Sequence, residues 1–118
     1  FILADDGVTG CSPDGMIGTD GLLELKNPQL GTMSEYILDG GLEADYRCQV
    51  HFQMLVTGRK WVELVAYSPP LQPLVVRVER DEFTDLLREE LGRFLERFAL
   101  AKKRLGIPET DHHGEIVA

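Results

Sequence analysis

Thiols are scarce in this sequence: Cys11 and Cys48 are the two cysteines among 118 residues, and they form no C-x-x-C pair. So few cysteines exclude a disulfide framework and a zinc ribbon, and an iron–sulfur cluster would need about four thiolates. We interpret both as small core residues, which is a common position for free cysteine, in a protein of the reducing cytoplasm.

Long apolar runs are also missing, because no stretch approaches the roughly 18 residues that a membrane-spanning helix needs. We therefore expect a soluble protein without a membrane partner. The chain opens on Phe1-Ile2-Leu3, with neither an initiator methionine nor the charged start of a signal peptide. This opening predicts a piece of a longer polypeptide.

Basic residues are few as well, since 12 Lys and Arg against 20 Asp and Glu give a formal net charge of −8. Lys and Arg normally supply the phosphate contacts that dominate nucleic-acid affinity, so net charge alone argues against a DNA partner. The argument is not decisive, because bound divalent cations reverse the local field around a carboxylate cluster. The 43% of apolar residues are enough for one folded core.

Turn residues divide the chain into short strands and longer helices, an α/β (α+β) pattern. Gly18-Thr19-Asp20 reads as a hairpin loop, and Pro69-Pro70 separates a second pair of strands. The predicted strands cover 11–17, 21–26, 61–68 and 74–79, and the predicted helices cover 32–38, 43–57 and a long segment capped by Asp81. We expect one domain over 1–106 and a loosely ordered tail over 107–118, in which His112 and His113 lie.

The helix over 43–57 has apolar residues around much of its surface, which indicates burial on most sides. Tyr46, Gln49 and Gln53 form one polar stripe on it, and such a stripe needs a partner because an unsatisfied buried amide costs about 1–3 kcal/mol. His51 faces elsewhere and is interpreted as structural. The last helix carries an apolar face that we expect to cover a sheet, formed by Phe83, Leu86, Leu87, Leu91, Phe94, Leu95 and Phe98.

The strand over 21–26 presents Glu24 and Lys26 on one face, because residues i and i+2 of a strand point the same way, and we expect Leu23 and Leu25 to point into the core. If the hairpin loop is 18–20, Ile17 meets Gly21, Gly15 meets Leu23, and Asp14 lies opposite Glu24. A slip of one residue would send Asp14 to the other face. The register therefore predicts two carboxylates and one ammonium in a shared site.

Paired carboxylates favour a hard cation such as Mg²⁺ or Mn²⁺ between them. Asp14 and Glu24 would hold the metal, while Lys26 would orient or deprotonate a water and offset charge during phosphodiester hydrolysis. Taken alone, Pro-Asp followed ten residues later by Glu-x-Lys is a weak signal, since such a cluster is more often a solvated strand face.

Five blocks in order make the pattern more specific, and together they resemble the lambda-exonuclease family, also described as YqaJ-type viral recombinases, within the PD-(D/E)xK nucleases. The similarity spans roughly residues 11–105. The blocks are Ser12-Pro13-Asp14-Gly15, the segment from Gly21 to Pro28, the segment from Tyr46 to Phe52, the segment from Val56 to Lys60, and the segment from Val76 to Glu82.

The resemblance implies a restriction-endonuclease-like nuclease core, a mixed central β-sheet flanked by helices, here without its N-terminal part. It implies Asp14, Glu24 and the Leu25 carbonyl as Mg²⁺ ligands, Lys26 as the catalytic lysine, and Gln49 with Tyr46 at the border of the site. The family's upstream acidic ligand and 5′-phosphate-binding basic residue have no counterpart in this sequence, so the segment alone is expected to be inactive.

The implied activity is a Mg²⁺-dependent exonuclease that digests duplex DNA from 5′ ends and leaves 3′ single-stranded tails for phage-type homologous recombination. Its implied partners are duplex ends, a single-strand annealing protein and further copies in a ring, in the cytoplasm of a bacterial or phage-infected cell. Arg59 and Lys60 are the candidate phosphate contacts, although a solvated loop explains them equally well. The alternatives are a restriction- or repair-type endonuclease and an inactive DNA-binding module.

Overall fold

Short strands and three helices alternate along residues 1–109, the part of the chain that the structure, a computed structural model, describes. The predicted α+β class with a mixed sheet is confirmed. The predicted tail lies mostly outside the described residues, as do His112 and His113. In chain order the elements are β1 Ile2–Leu3, β2 Gly10–Cys11, β3 Gly15–Ile17, β4 Gly21–Lys26, α1 Leu30–Asp39, α2 Leu42–Thr57, β5 Trp61–Ala66, β6 Leu74–Glu79 and α3 Glu82–Arg104.

The main sheet of the described residues has the strand order β3-β4-β5-β6, and β1 pairs with β2 in a separate small ribbon. Strands β4 and β5 run parallel, which requires a crossover, and α1 and α2 form it. The hairpin register is confirmed, since Gly15 pairs with Leu23 and Ile17 pairs with Gly21 around the loop 18–20. The sheet therefore has the arrangement on which the predicted site depends.

The buried face of the sheet lies against α2, whose Val50 and Met54 are completely buried. On the sheet side this core contains Leu22, Val62, Leu64, Ala66 and Val78. The prediction that Leu23 and Leu25 point into the core is wrong, because Leu22 and Glu24 face α2 and Leu25 is 52% exposed on the opposite face. Alternation in a strand defines two faces, but where both carry apolar residues it does not say which one a helix covers.

Helix α2 is buried mainly in its second half, from Val50 onward, and ends at Gly58, whose φ of 72° suits a left-handed C-cap. Cys48 is exposed on the first half, so its prediction as a core residue is wrong, whereas Cys11 is half-buried. No helix within residues 1–109 combines the length and apolar character needed to cross a lipid bilayer.

Helix α3 begins as predicted, with the Asp81 carboxylate accepting from the Phe83 backbone N–H at 2.9 Å and the Thr84 hydroxyl accepting from the Asp81 N–H at 3.1 Å. The prediction that its apolar face covers a sheet is wrong, because the face packs on α2. Further along, Phe94 and Phe98 stack on each other and stay largely exposed. An apolar stripe predicts that one face of a helix is buried. It does not predict which neighbouring element buries that face.

His51 joins α2 to the start of α3, which agrees with its structural interpretation. Its ring is fully buried, Nδ1 lies 2.7 Å from the Thr84 hydroxyl, and the ring meets Phe83 edge-on at 5.1 Å. Burial lowers the pKa of His51 below its ordinary value, against a smaller opposing effect of Asp81. The imidazole therefore resists protonation in the folded state.

This lowered pKa predicts that acid destabilises the fold through His51. As pH falls below about 6.5, His51 takes up a proton in the unfolded chain but resists protonation in the folded protein. The contribution of His51 to folding stability is therefore present above that pH and is lost below it. Between about pH 7.5 and pH 5.5, the melting temperature of His51→Gln should fall by less than that of wild type, as measured by thermal unfolding. Tyr67→Phe, which removes an exposed hydroxyl elsewhere, should keep the wild-type pH dependence, and equal slopes for His51→Gln and wild type would contradict the prediction.

Candidate active site

Strand β4 carries the acidic and basic groups of the candidate site on its covered face. Glu24 is only 5% exposed, and the Lys26 side chain is 19% exposed. Both point toward α2, because even-numbered positions of β4 face that helix. A carboxylate this deeply buried requires hydrogen-bond donors or a cation.

Three donors satisfy the Glu24 carboxylate. Gln49 Nε2 donates to Oε1 at 3.0 Å, Gln53 Nε2 donates to Oε2 at 2.8 Å, and Lys26 Nζ lies 3.1 Å from Oε1. Gln49 and Gln53 of the polar stripe on α2 thus have the hydrogen-bond partner that the sequence pattern predicted. The contact ties the middle of α2 to β4 across the core.

Lys26 is oriented from several directions. Its Nζ donates to Gln49 Oε1 at 2.8 Å and lies 4.6 Å from the centre of the Tyr46 ring. Gln49 therefore bridges Glu24 and Lys26, with its amide N–H on one and its carbonyl on the other. Tyr46 contributes the face of its ring, a favourable surface for a cation.

Tyr46 is itself supported by α1. The Tyr36 hydroxyl donates to Asp45 Oδ2 at 2.6 Å, beside Tyr46 at the start of α2. The hydrogen bond to Asp45 raises the pKa of Tyr36 well above its ordinary value, with burial and Tyr46 adding to the effect. The phenol keeps its proton, and the link holds α1 against the helix that carries the glutamines.

Asp14 lies just before β3 and is exposed. Its backbone N–H donates to the Leu23 carbonyl at 3.1 Å, and its Oδ2 accepts from the Leu25 N–H at 2.7 Å. The paired residues of β3 end at Gly15, so Asp14 lies one residue beyond the paired strand with its carboxylate against the backbone of β4. Because the N–H and C=O of a strand residue point to the same side, the Leu25 carbonyl also points toward the Asp14 side, where β3 has ended.

These groups form a donor set of hard oxygen atoms: two carboxylates and one backbone carbonyl. Mg²⁺ in proteins commonly takes one or two carboxylates and keeps several waters or substrate phosphates, so the set fits a catalytic Mg²⁺ or Mn²⁺. Within residues 1–109 no group of three or more His, Cys, Asp and Glu side chains stands ready to hold an ion.

The two candidate phosphate contacts have different surroundings. Arg59 Nη1 donates to the carbonyls of Gly18 and Gly21 at 2.9 and 3.0 Å, which braces the hairpin loop. Lys60 is 72% exposed at its side chain, with Nζ 3.7 Å from Asp20. These contacts indicate a structural role for Arg59, whereas the exposed Lys60 ammonium is accessible to a phosphate.

Two residues near the site carry contacts that sequence reasoning did not assign. Gln53 holds Glu24, and the only signal for it was its place in the stripe with Gln49, one helical turn away. Arg80 donates to the Met54 carbonyl at 2.6 Å and to the Arg59 carbonyl at 3.0 Å, which anchors the end of α2. Arg80 lies in the family block from Val76 to Glu82, but no role was predicted for it.

Comparison with known proteins shows similarity to a recombinase family and to a solved exonuclease. A family model described as the YqaJ-like viral recombinase domain matches residues 1–60. The crystal structure of an alkaline exonuclease (LHK-Exo) from Laribacter hongkongensis matches at 34% identity and a TM-score of 0.71, over 80% of this chain and 52% of that one. The structure of LHK-Exo in complex with dAMP matches at 34% identity and a TM-score of 0.69, over 80% and 51%.

No curated protein gave a significant match. The chain spans about half the length of the solved structures that it matches.

Proposed function

Because the chain belongs to the family of YqaJ-like viral recombinase domains, we propose that it forms the metal-binding part of a deoxyribonuclease active site. The observation that carries the proposal is the joined cluster of Glu24, Lys26 and Gln49 on the covered face of β4, with the Asp14 carboxylate bound to the backbone of the same strand. A solvated strand face would not bury Glu24 or bring two amide donors of a helix to its carboxylate. The similarity to a solved alkaline exonuclease supports the same chemistry.

Asp14, Glu24 and the Leu25 carbonyl are the groups that would hold Mg²⁺, with Mn²⁺ as an alternative. Such an ion, when bound, polarises a phosphoryl oxygen and lowers the pKa of a coordinated water. The Lys26 ammonium beside Glu24 offsets the negative charge that collects on the phosphate in the transition state and orients the attacking water. Gln49 and the Tyr46 ring keep that ammonium in place.

We propose duplex DNA ends as the substrate and digestion from the 5′ end, in keeping with the lambda-exonuclease resemblance. On this proposal the product carries a 3′ single-stranded tail for an annealing protein, and copies of the full-length protein assemble around the duplex. Lys60 is the first candidate among the described residues for a phosphate contact, and Arg59 is the second. Metal binding also addresses the net charge of −8, because a divalent ion reverses the field where the phosphate must approach.

Digestion of a linear duplex labelled at its 5′ or 3′ ends tests this function in the full-length protein. We expect digestion with Mg²⁺ or Mn²⁺ and none with chelator, with the 5′ label released as a short product while the 3′ label stays on long strands. Early release of the 3′ label would overturn the polarity. Cutting of a closed circular duplex would favour an endonuclease, and DNA binding without cutting would favour an inactive module.

A further inference from the structure

We propose that Gln53 is a positioning residue that orients Glu24 for the divalent cation, an inference that rests on the proposed nuclease function. Gln53 Nε2 donates to Glu24 Oε2 at 2.8 Å, and the Gln53 side chain is buried on α2 with 3% of its surface exposed. The two donors to the other carboxylate oxygen are the less buried Gln49 and Lys26.

The occupancy of the Glu24 carboxylate points to Oε2 as the oxygen that ligates the ion. Each carboxylate oxygen has two acceptor positions. Oε1 already serves Gln49 Nε2 and Lys26 Nζ, whereas among residues 1–109 Oε2 accepts only from Gln53. One acceptor position on Oε2 thus stays open, and the Gln53 N–H determines the direction in which it points.

The energetic cost of burying the Gln53 amide argues against a purely structural role for this residue. Its Oε1 is buried and has no hydrogen-bond partner in the described part of the chain. A buried carbonyl without a donor is unfavourable, and an apolar side chain of similar volume would avoid the problem. Core stability alone therefore does not explain an amide at this position, whereas the contact to Glu24 does.

The amide has one usable orientation. Exchanging Nε2 and Oε1 would place a carbonyl oxygen against Glu24 Oε2, so that two acceptors would repel. The backbone beneath it is also held, because the Thr57 hydroxyl donates to the Gln53 carbonyl at 2.8 Å and Arg80 anchors the next residue, Met54. Orienting a metal-ligating carboxylate requires a hydrogen-bond donor whose own position is fixed, and the Gln53 amide on α2 is such a donor.

Two variants of the full-length protein remove the contact in different ways. Gln53→Met keeps the volume and removes the polarity, and Gln53→Asn keeps the amide and shortens its reach. For each, Mn²⁺ affinity is measured by calorimetry without DNA, and digestion is measured as a function of Mg²⁺ concentration. Gln29→Met is the matched control, since Gln29 is exposed and its side chain caps no helix.

We expect both Gln53 variants to bind Mn²⁺ about 10–100-fold more weakly than wild type, the effect typical of lost outer contacts to a metal ligand. The Mg²⁺ concentration for half-maximal digestion should rise in parallel, and the rate at saturating Mg²⁺ should return close to wild type. A core residue without this role would change the melting temperature and leave the metal dependence unmoved. Gln29→Met should match wild type throughout.

The outcomes separate this inference from the proposed function. If wild type binds Mn²⁺ and digests DNA while both Gln53 variants keep wild-type affinity, the positioning role is wrong and the nuclease proposal stands. If wild type binds neither Mn²⁺ nor Mg²⁺, both fall. If both variants unfold, or lose rate equally at every Mg²⁺ concentration, Gln53 serves the core or another step and the inference is overturned.

Discussion

A Lys26→Ala variant of the full-length protein is expected to digest duplex DNA at least about a hundredfold more slowly than wild type. The ammonium lies 3.1 Å from Glu24 Oε1 and 2.8 Å from Gln49 Oε1, so it is held where charge develops on the reacting phosphate. Alanine removes that charge completely. Single-turnover digestion of an end-labelled duplex at saturating Mg²⁺ measures the loss.

The fold should survive this substitution. Glu24 keeps the amide donors of Gln49 and Gln53 when Lys26 is gone, so its carboxylate is not left without partners. Lys26→Met retains the aliphatic part of the side chain and should be as inactive as Lys26→Ala while melting closer to wild type. Lys103→Ala removes the same charge from the exposed end of α3 and should digest normally. Wild-type turnover in Lys26→Ala would refute the role of the lysine.

Asp14→Asn should weaken divalent-ion binding by more than the about 10–100-fold that loss of an outer contact causes, because it removes a ligand charge directly. Digestion at a fixed, moderate Mg²⁺ concentration should fall with it. The Asn carbonyl can still accept the 2.7 Å hydrogen bond from the Leu25 N–H, so the strand geometry is retained. Mn²⁺ titration calorimetry, together with digestion over a range of Mg²⁺ concentrations, measures the effect.

Asp20→Asn is the matched control, because it makes the same change in the same hairpin at an exposed loop position whose carboxylate lies 3.7 Å from Lys60. Its Mn²⁺ affinity should equal that of wild type. An Asp14→Asn protein that binds Mn²⁺ as tightly as wild type would remove Asp14 from the metal site. Equal losses in both variants would attribute the effect to the general negative field of the hairpin.

The β3–β4 hairpin shows how much of the fold local sequence patterns can predict. Gly18-Thr19-Asp20 marked the loop, and the pairing that follows from a three-residue loop is the pairing observed. Loop length determines register in a hairpin, and register determines which side chains share a face. The pairing of Gly15 with Leu23, next to Asp14 and Glu24, was therefore predictable from a few consecutive residues.

The sides on which elements pack were less predictable. Both faces of β4 carry leucines, and the face with Leu22 is covered while Leu25 is exposed. Likewise the apolar stripe of α3 was assigned to the sheet and instead meets α2. Sequence periodicity describes one element at a time, whereas packing depends on which other element arrives at that face.

The sequence alone was enough for the order of the three helices and the main-sheet strands, the hairpin register, the helix boundaries at Gly58 and Asp81, and the candidate residues of β4, because each depends on neighbours along the chain or on family blocks. It did not predict β1 or the division of the predicted strand 11–17 into β2 and β3. Three-dimensional packing was needed to show that Gln49 bridges Glu24 to Lys26, that Gln53 holds the remaining carboxylate oxygen, and that Arg59 braces a loop. The physical reason is distance along the chain. These contacts join residues more than twenty positions apart, and their geometry arises only when α2 settles onto the sheet.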